Sequence, residues 1–289
     1  MAERFDHDDF GGLHRDLHAT AAAMNRRSLL RLAARASMAV GTLQLIGCGE
    51  NQTAPSVLDT ATNTTTTGGT GTTTSAATGG TCSQIPNETA GPYPGDGSNG
   101  PNVLTQSGIV RSDIRSSFAG LSGTADGVPL TIVLTIVSAS TCAPLAGRAV
   151  YLWHCDRPGR YSLYSSGVTN QNYLRGVQEA DASGRVSFTS IFPGCYAGRW
   201  PHIHFEVYPT LSSAASVSNK IATSQIALPK SACDLAYAQA GYEASVTNLS
   251  QVSLATDGIF SDGAALELAT VSGSVASGFA ATLSVAVAA

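Results

Sequence analysis

From residue 130 onward the chain alternates between short apolar runs and clusters of turn-forming residues. Leu130-Thr131-Ile132-Val133-Leu134-Thr135-Ile136-Val137 alternates in part and is rich in β-branched side chains, which favour the pleated backbone. Residues 147–154, 185–192 and 202–208 have the same character. They are separated by Arg157-Pro158-Gly159, by Asp181-Ala182-Ser183-Gly184 and by Pro193-Gly194, each a turn signal. Short strands at this spacing predict an all-β fold, a β-sandwich with long loops. A short helix is expected within 230–245. The Ala-, Ser-, Val- and Leu-rich tail beyond 263 leaves two readings open, a final strand pair or a packing tail.

The first third of the chain has a different pattern. Residues 1–24 are polar and carry His7, His14 and His18, half of the six histidines. Asn25-Arg26-Arg27-Ser28-Leu29-Leu30-Arg31 then places paired arginines before an apolar stretch, the mark of a twin-arginine export signal. The apolar stretch, 32–47, is interrupted by Arg35 and is shorter than the roughly 20 residues a spanning helix needs. It ends in Leu45-Ile46-Gly47-Cys48, which resembles a bacterial lipobox in which Cys48 is lipidated. An uncleaved N-terminal anchor is the alternative, and either reading places the rest of the chain outside the cytoplasm, at the cell envelope or in the periplasm. Residues 49–81 are dominated by Thr, Gly, Ala, Ser and Asn; with almost nothing apolar to bury, they read as a disordered tether. The expected organisation is thus a signal over 1–48, a linker over 49–81 and one folded domain over 82–289.

Composition narrows the function. Charged residues are 12% of the chain and hydrophobic residues 43%, which excludes a wholly disordered acidic or basic chain. The net charge is −4, the only lysines are Lys220 and Lys230, and no basic run follows residue 35. Nucleic acid is therefore not an expected partner, and the membrane is expected as a partner only through the lipid anchor. Beyond Cys48 the cysteines are Cys82, Cys142, Cys155, Cys195 and Cys233. In an oxidising compartment they predict two disulfides and one free thiol, with the pairing open. No Cys-x-x-Cys pair is present, which speaks against zinc.

Only His154, His202 and His204 remain within the expected domain. Side chains two apart on a strand share a face, so His202 and His204 present both imidazoles to one side, close enough to share a metal ion. Glu206 lies on the same face and would complete a two-histidine, one-carboxylate set. Its Cα is about 13 Å along the strand from that of His202, a poor facial triad, and Glu206 is expected at the rim or surface. No histidine follows His204, against a cupin pattern. Tyrosine offers another route, because phenolates are hard anionic donors suited to Fe(III). Tyr161 and Tyr196 each follow a glycine turn. The residues by themselves leave open a non-catalytic exported β-sandwich binding module and a different histidine and carboxylate metalloenzyme.

Several segments together are more specific. They are Gly91-Pro92-Tyr93; Trp153-His154-Cys155-Asp156 followed by Gly159-Arg160-Tyr161-Ser162; Leu174-Arg175-Gly176-Val177-Gln178 with Asp181 and Gly184; the run Pro193-Gly194-Cys195-Tyr196-Ala197-Gly198-Arg199-Trp200-Pro201-His202-Ile203-His204-Phe205; and Thr223-Ser224-Gln225-Ile226. In this order, over roughly 82–260, the chain resembles the intradiol ring-cleavage dioxygenases, the family of catechol 1,2-dioxygenase and protocatechuate 3,4-dioxygenase.

The resemblance implies a β-sandwich of the immunoglobulin or prealbumin kind holding one non-haem Fe(III) per chain. It implies Tyr161, Tyr196, His202 and His204 as the metal donors, with Tyr196 leaving the ion when substrate binds. Arg199 is implied as a catalytic and substrate-binding residue, Gln225 as the family's catalytic glutamine set behind the metal donors, and Tyr93 as a substrate-binding residue lining the pocket. His154 would be a hydrogen-bonded residue on the neighbouring strand and not a ligand. The implied substrates are a small catechol and O2, and the implied products are of the cis,cis-muconate type. Only five residues separate Tyr196 from His202, where the well-studied catabolic enzymes carry a longer insertion. Their helical N-terminal region is also missing, so the chain looks more like the compact extracytoplasmic branch.

Overall fold

The computed structural model describes residues 82–288. The expected export signal over 1–48, with its expected lipidation site at Cys48, and the expected tether over 49–81 lie outside the described residues. The described chain forms two four-stranded sheets. The strands are β1 (Pro129–Ser138), β2 (Ala149–Trp153), β3 (Arg175–Glu179), β4 (Arg185–Ile191), β5 (His202–Tyr208), β6 (Ala222–Ala227), β7 (Thr270–Ser274) and β8 (Gly278–Val287). One sheet has the order β4-β1-β8-β7 and the other β3-β2-β5-β6. All neighbours are antiparallel except β1 and β8, which pair in parallel from Leu130 opposite Phe279 onward.

The alternation in β1 explains the first layer of packing. Leu130, Ile132, Leu134 and Ile136 face inward and are fully buried. They meet Val186 and Phe188 of β4, Val150 and Leu152 of β2, Ile203, Phe205 and Val207 of β5, and Phe279 and Ala281 of β8 in one continuous core. Sheets pressed face to face in this way make a sandwich. The sheet carrying β2 and β5 is covered on its other face as well. There Ala149, Tyr151, Trp153, Val177 and Tyr208 pack with Tyr93, Val103, Ile109 and Phe118 of the N-terminal loops. Every residue of β2, β5 and β6 is accordingly buried, and the site described below lies on this roofed face.

The tail beyond 263 is a strand pair, β7 with β8, joined to the first sheet by β8. The expected short helix is two: α1 (Lys230–Tyr237) and α2 (Glu243–Ser250). α1 turns Ala232, Cys233, Ala236 and Tyr237 into the core, and Tyr237 donates its hydroxyl proton to the Pro193 carbonyl at 3.2 Å. α2 grips the loop after Pro193 from both sides of Cys195: the Cys195 amide donates to Ser245 Oγ at 2.9 Å, and Asn248 Nδ2 donates to the Cys195 carbonyl at 2.8 Å. Tyr196 is the next residue, so these two short helices hold one of the predicted donors in place.

The cysteine expectation needs correcting. Among the described residues one disulfide forms, Cys82–Cys142, with Cα atoms 5.3 Å apart. Cys155, Cys195 and Cys233 are free thiols, all buried, in place of the second disulfide and single thiol expected. Burial pushes the Cys195 thiol up to about 12, so these sulfurs behave as small apolar groups in the core.

Candidate metal centre

β5 sets the first two donors. His202 and His204 share the roofed face, their Nε2 atoms 3.0 Å apart and their ring centroids 4.6 Å apart. His202 donates Nδ1–H to the Trp200 carbonyl at 2.6 Å, which fixes its tautomer and leaves the Nε2 lone pair pointing inward. His204 is stacked on Trp153, its partner across β2, with centroids 4.9 Å apart and planes 3° from parallel. Gly91 (φ +68°) closes over the ring: a Cβ there would sit 3.2 Å from His204 Cε1.

Tyr161 arrives from the turn after β2. Asp156 organises that turn, accepting from the Arg160 amide at 2.8 Å, from Arg160 Nε at 3.1 Å and from the Tyr173 hydroxyl at 3.0 Å. The Tyr161 amide donates to Ser165 Oγ at 2.9 Å. The Tyr161 hydroxyl oxygen thereby stands 3.3 Å from His202 Nε2 and 3.4 Å from His204 Nε2. Tyr196 is edge-on to Tyr161, ring centroids 5.6 Å apart, with its hydroxyl 3.2 Å from that of Tyr93. Tyr93 in turn packs 4.9 Å from the Tyr161 ring. All four expected donors and Tyr93 are buried.

Arg199 and Gln225 flank this cluster. Gln225 is opposite His204 on β6 and fully buried. Its Oε1 accepts from Arg199 Nη2 at 2.7 Å and its Nε2 donates to the Thr89 carbonyl at 2.9 Å. The main support of Arg199 is Asp257, which the motifs did not single out. Asp257 accepts from Arg199 Nε at 2.9 Å and Nη2 at 3.3 Å, and from the amides of Trp200, Ile259 and Phe260. Burial alone would raise its pKa, but the Arg199 charge and these hydrogen bonds hold it below the usual carboxylate range. In sequence Asp257 sits in Ala255-Thr256-Asp257-Gly258, which reads only as a turn.

His154 is hydrogen-bonded through both ring nitrogens, as expected: Nδ1 bonds the Cys155 carbonyl and Nε2 bonds Ser190 Oγ, each at 2.7 Å. Glu206 departs from expectation. It is not at the rim but fully buried, accepting from the Tyr208 hydroxyl at 2.6 Å and from Lys220 Nζ at 2.9 Å. Those bonds engage it away from the histidines. Among the described residues no group of three or more His, Cys, Asp or Glu side chains could hold a metal ion.

The donor set fits a metal all the same. Burial, reinforced by the Arg199 charge, pushes His202 down to about 3; burial and the neighbouring His202 lower His204 well below its usual value. Both imidazoles are therefore neutral, the form that ligates. His204 Nδ1 is buried without a hydrogen-bond partner. If the His204 proton sits on Nε2, the Nδ1 lone pair is stranded; if it sits on Nδ1, two lone pairs face each other across 3.0 Å. Each arrangement costs about 1–3 kcal/mol, and a cation among the three atoms relieves the second. Neighbouring ligands on metal bonds of about 2.1 Å stand about 3.0–3.4 Å apart, matching the 3.0, 3.3 and 3.4 Å edges seen here. The remaining oxygens are phenols, and hard anionic oxygen donors select a hard, highly charged ion.

Residues 100–204 match the family model Dioxygenase_C, described as a dioxygenase. An intradiol ring-cleavage dioxygenase from Tetranychus urticae superposes with a TM-score of 0.57 at 24% identity, over 72% of this chain and 95% of that one. The dioxygenase domain of a dioxygenase and carbohydrate-binding protein fusion from Streptomyces sp. SirexAA-E gives 0.45 at 21% identity, over 71% and 98%. No curated protein sequence matches the chain. The resemblance drawn from the motifs therefore holds: the chain has the fold of an intradiol ring-cleavage dioxygenase and, over residues 100–204, the sequence pattern of the dioxygenase family.

Proposed function

We propose that the protein is an intradiol dioxygenase that opens catechol-type rings with O2 at one ferric ion held by Tyr161, Tyr196, His202 and His204, giving cis,cis-muconate-type products. The observation that carries this reading is the convergence of the Tyr161 hydroxyl and the two Nε2 atoms within 3.4 Å, with Arg199 fixed beside them. When bound, the ion supplies Lewis acidity and a template that chelates the two catechol oxygens.

The chain's own residues do the rest. His202 and His204 are neutral donors held by the Trp200 carbonyl and the Trp153 ring. Tyr196 has a second partner in the Tyr93 hydroxyl, so it can release its place to substrate and take up a catechol proton without losing all hydrogen bonding. Arg199 is held at Nε and Nη2 by Asp257 and Gln225, which fixes a positive charge where negative charge develops. The roof over this face keeps water from competing with those interactions.

Iron analysis and visible spectroscopy of protein produced with iron test the reading, together with turnover of a panel of catechols under air. About one iron per chain, a tyrosinate charge-transfer band, its loss or shift in Tyr161→Phe and loss of metal in His204→Ala are the expected results. Stoichiometric zinc or copper, or a colourless protein inert to every catechol, would refute it.

We also propose that this chemistry takes place at the cell envelope, after twin-arginine export and lipidation at Cys48. Arg26-Arg27 before the apolar stretch and Leu45-Ile46-Gly47-Cys48 at its end support this, as does a disulfide in the domain. Cys48→Ser should release active protein from the membrane fraction, and Arg26→Lys with Arg27→Lys should leave the precursor in the cytoplasm. Wild-type activity recovered only in the cytosol, with residues 1–47 attached, would refute the location and leave the chemistry standing.

A further inference from the structure

Arg175 begins β3, and one rung of the sheet crosses from it to the metal centre. Arg175 is opposite Trp153, Trp153 opposite His204, and His204 opposite Gln225. Directly opposed residues share a face, so the guanidinium lies on the roofed face with the donors. It is buried, 1% exposed. A guanidinium carries five N–H donors, and five hydrogen bonds are made: Nε to Ser162 Oγ at 3.0 Å, Nη1 to the Pro94 carbonyl at 2.7 Å and to the Tyr151 hydroxyl at 3.1 Å, and Nη2 to the carbonyls of Tyr93 at 3.0 Å and Ser162 at 2.9 Å. The fit is close at the main chain too. Gly95 has φ +65°, and a Cβ there would stand 2.8 Å from Nη1.

Each acceptor is a neutral oxygen. Among the described residues no carboxylate forms an ion pair with Arg175. A cation taken out of water without an anion is costly unless every donor is satisfied. The five oxygens must therefore stay where they are, and the group that needs them enforces their positions. They belong to the main chain at Tyr93 and Pro94, to the residue after Tyr161, and to Tyr151.

We propose that Arg175 is a positioning residue, a clamp that fixes the segments bearing Tyr93 and Tyr161 against each other and so sets the wall of the substrate pocket. The clamp stands on these contacts alone; its effect on catechol binding rests on the proposed function. Lysine at 175 would keep the charge but not the planar fork, and methionine would lose both.

The test is amide hydrogen exchange on the full chain, comparing wild type with Arg175→Lys and Arg175→Met. The amides of Gly95, Tyr161, Tyr164 and Ser165 are hydrogen-bonded within the clamped segments and report on them directly. We expect exchange at both segments to rise tenfold or more in Arg175→Met and less in Arg175→Lys, with β1 unchanged. In iron-loaded protein the tyrosinate band should shift and the catechol KM should rise more than kcat falls. Unchanged exchange at the two segments, or an equal rise in β1, would overturn the clamp, the second by showing only a loss of global stability. Should Arg175→Met fail to fold, Ser162→Ala removes one acceptor and must give the same localised rise at smaller size; no localised change there also overturns it. A wild-type protein that binds no iron refutes the proposed function while leaving the exchange result intact.

Discussion

Asp257→Asn tests how the protein holds its active-site charge. The Arg199–Asp257 pair is almost wholly buried, with side-chain exposures of 2% and 0%, and it is bidentate at 2.9 and 3.3 Å. Asparagine preserves the size but replaces one accepting oxygen by an N–H2 group that faces guanidinium donors. Breaking a buried pair from one side costs about 3–5 kcal/mol because the remaining charge is stranded, so Arg199 will turn away or draw in water. If Arg199 stabilises developing charge as other preorganised donors do, its displacement costs about 2–4 kcal/mol of barrier, roughly 30- to 1,000-fold in kcat. Neither residue is among the proposed metal donors, so iron content and the visible band should hold. The assay is a double-mutant cycle on kcat with Arg199→Met as the second change. Asp257→Asn should cost 30-fold or more alone and little in the Arg199→Met background. Equal losses in both backgrounds, or an unaltered kcat, would refute the argument. The pair also contributes to stability with a definite sign. Asp257 titrates below the usual carboxylate range, so its contribution is full above about pH 4 and is lost as pH falls from there through the folded value.

Two further outcomes follow from groups outside the chemistry. Burial pushes His154 down to about 4, below an ordinary value of 6.5; the unfolded chain then binds the extra proton first, so stability should fall by about 3 kcal/mol as pH drops from 6.5 to 4. Denaturant melts of metal-free protein across that range should show at least that loss, because His202 and His204 are depressed as well, and a His154→Gln variant should lose about 3 kcal/mol less than wild type; an equal loss in both would exclude a contribution from His154. Cys82–Cys142 closes a loop of 60 residues in sequence separation, which the chain-entropy model makes worth about 4 kcal/mol. Cys142→Ser should lower the denaturant midpoint accordingly with the visible band unmoved, whereas an unchanged midpoint would mean that the bond does not form in the purified protein.

The strands that were legible in the sequence are those with one clear apolar face or a strong turn at each end. β1, β2, β4 and β5 fall within a few residues of the expected ranges. β3 and β6 were not legible, and the reason is physical. Arg175-Gly176-Val177-Gln178-Glu179 has a single large apolar side chain, and Ala222-Thr223-Ser224-Gln225-Ile226-Ala227 is half polar, yet β6 is buried throughout and so is Arg175. Their polar groups are satisfied by partners distant in sequence: Ser224 donates to Glu267, Gln225 joins Arg199 to Thr89, and Arg175 binds Tyr93, Pro94 and Ser162. Hydropathy assigns such residues to the surface because it cannot count hydrogen bonds made across the fold, and Glu206 misled for the same reason.

The four residues proposed as metal donors were legible as candidates because each sits beside a local signal, a turn or a two-residue strand spacing. Their supports were not, because Asp257 is 58 residues from Arg199 in sequence and Arg175 more than 80 from Tyr93 and Pro94. A fold that buries two guanidinium groups on the face of the candidate metal centre, one matched by a carboxylate and the other by five neutral oxygens, separates two tasks. The matched charge is held in place by its carboxylate partner and can be aimed at the reacting atoms, while the unmatched one is committed to holding the main chain. Exchanging the two environments, by placing an acid beside Arg175 or removing Asp257, should therefore impair different quantities: substrate binding and local order in the first case, the rate of the chemical step in the second.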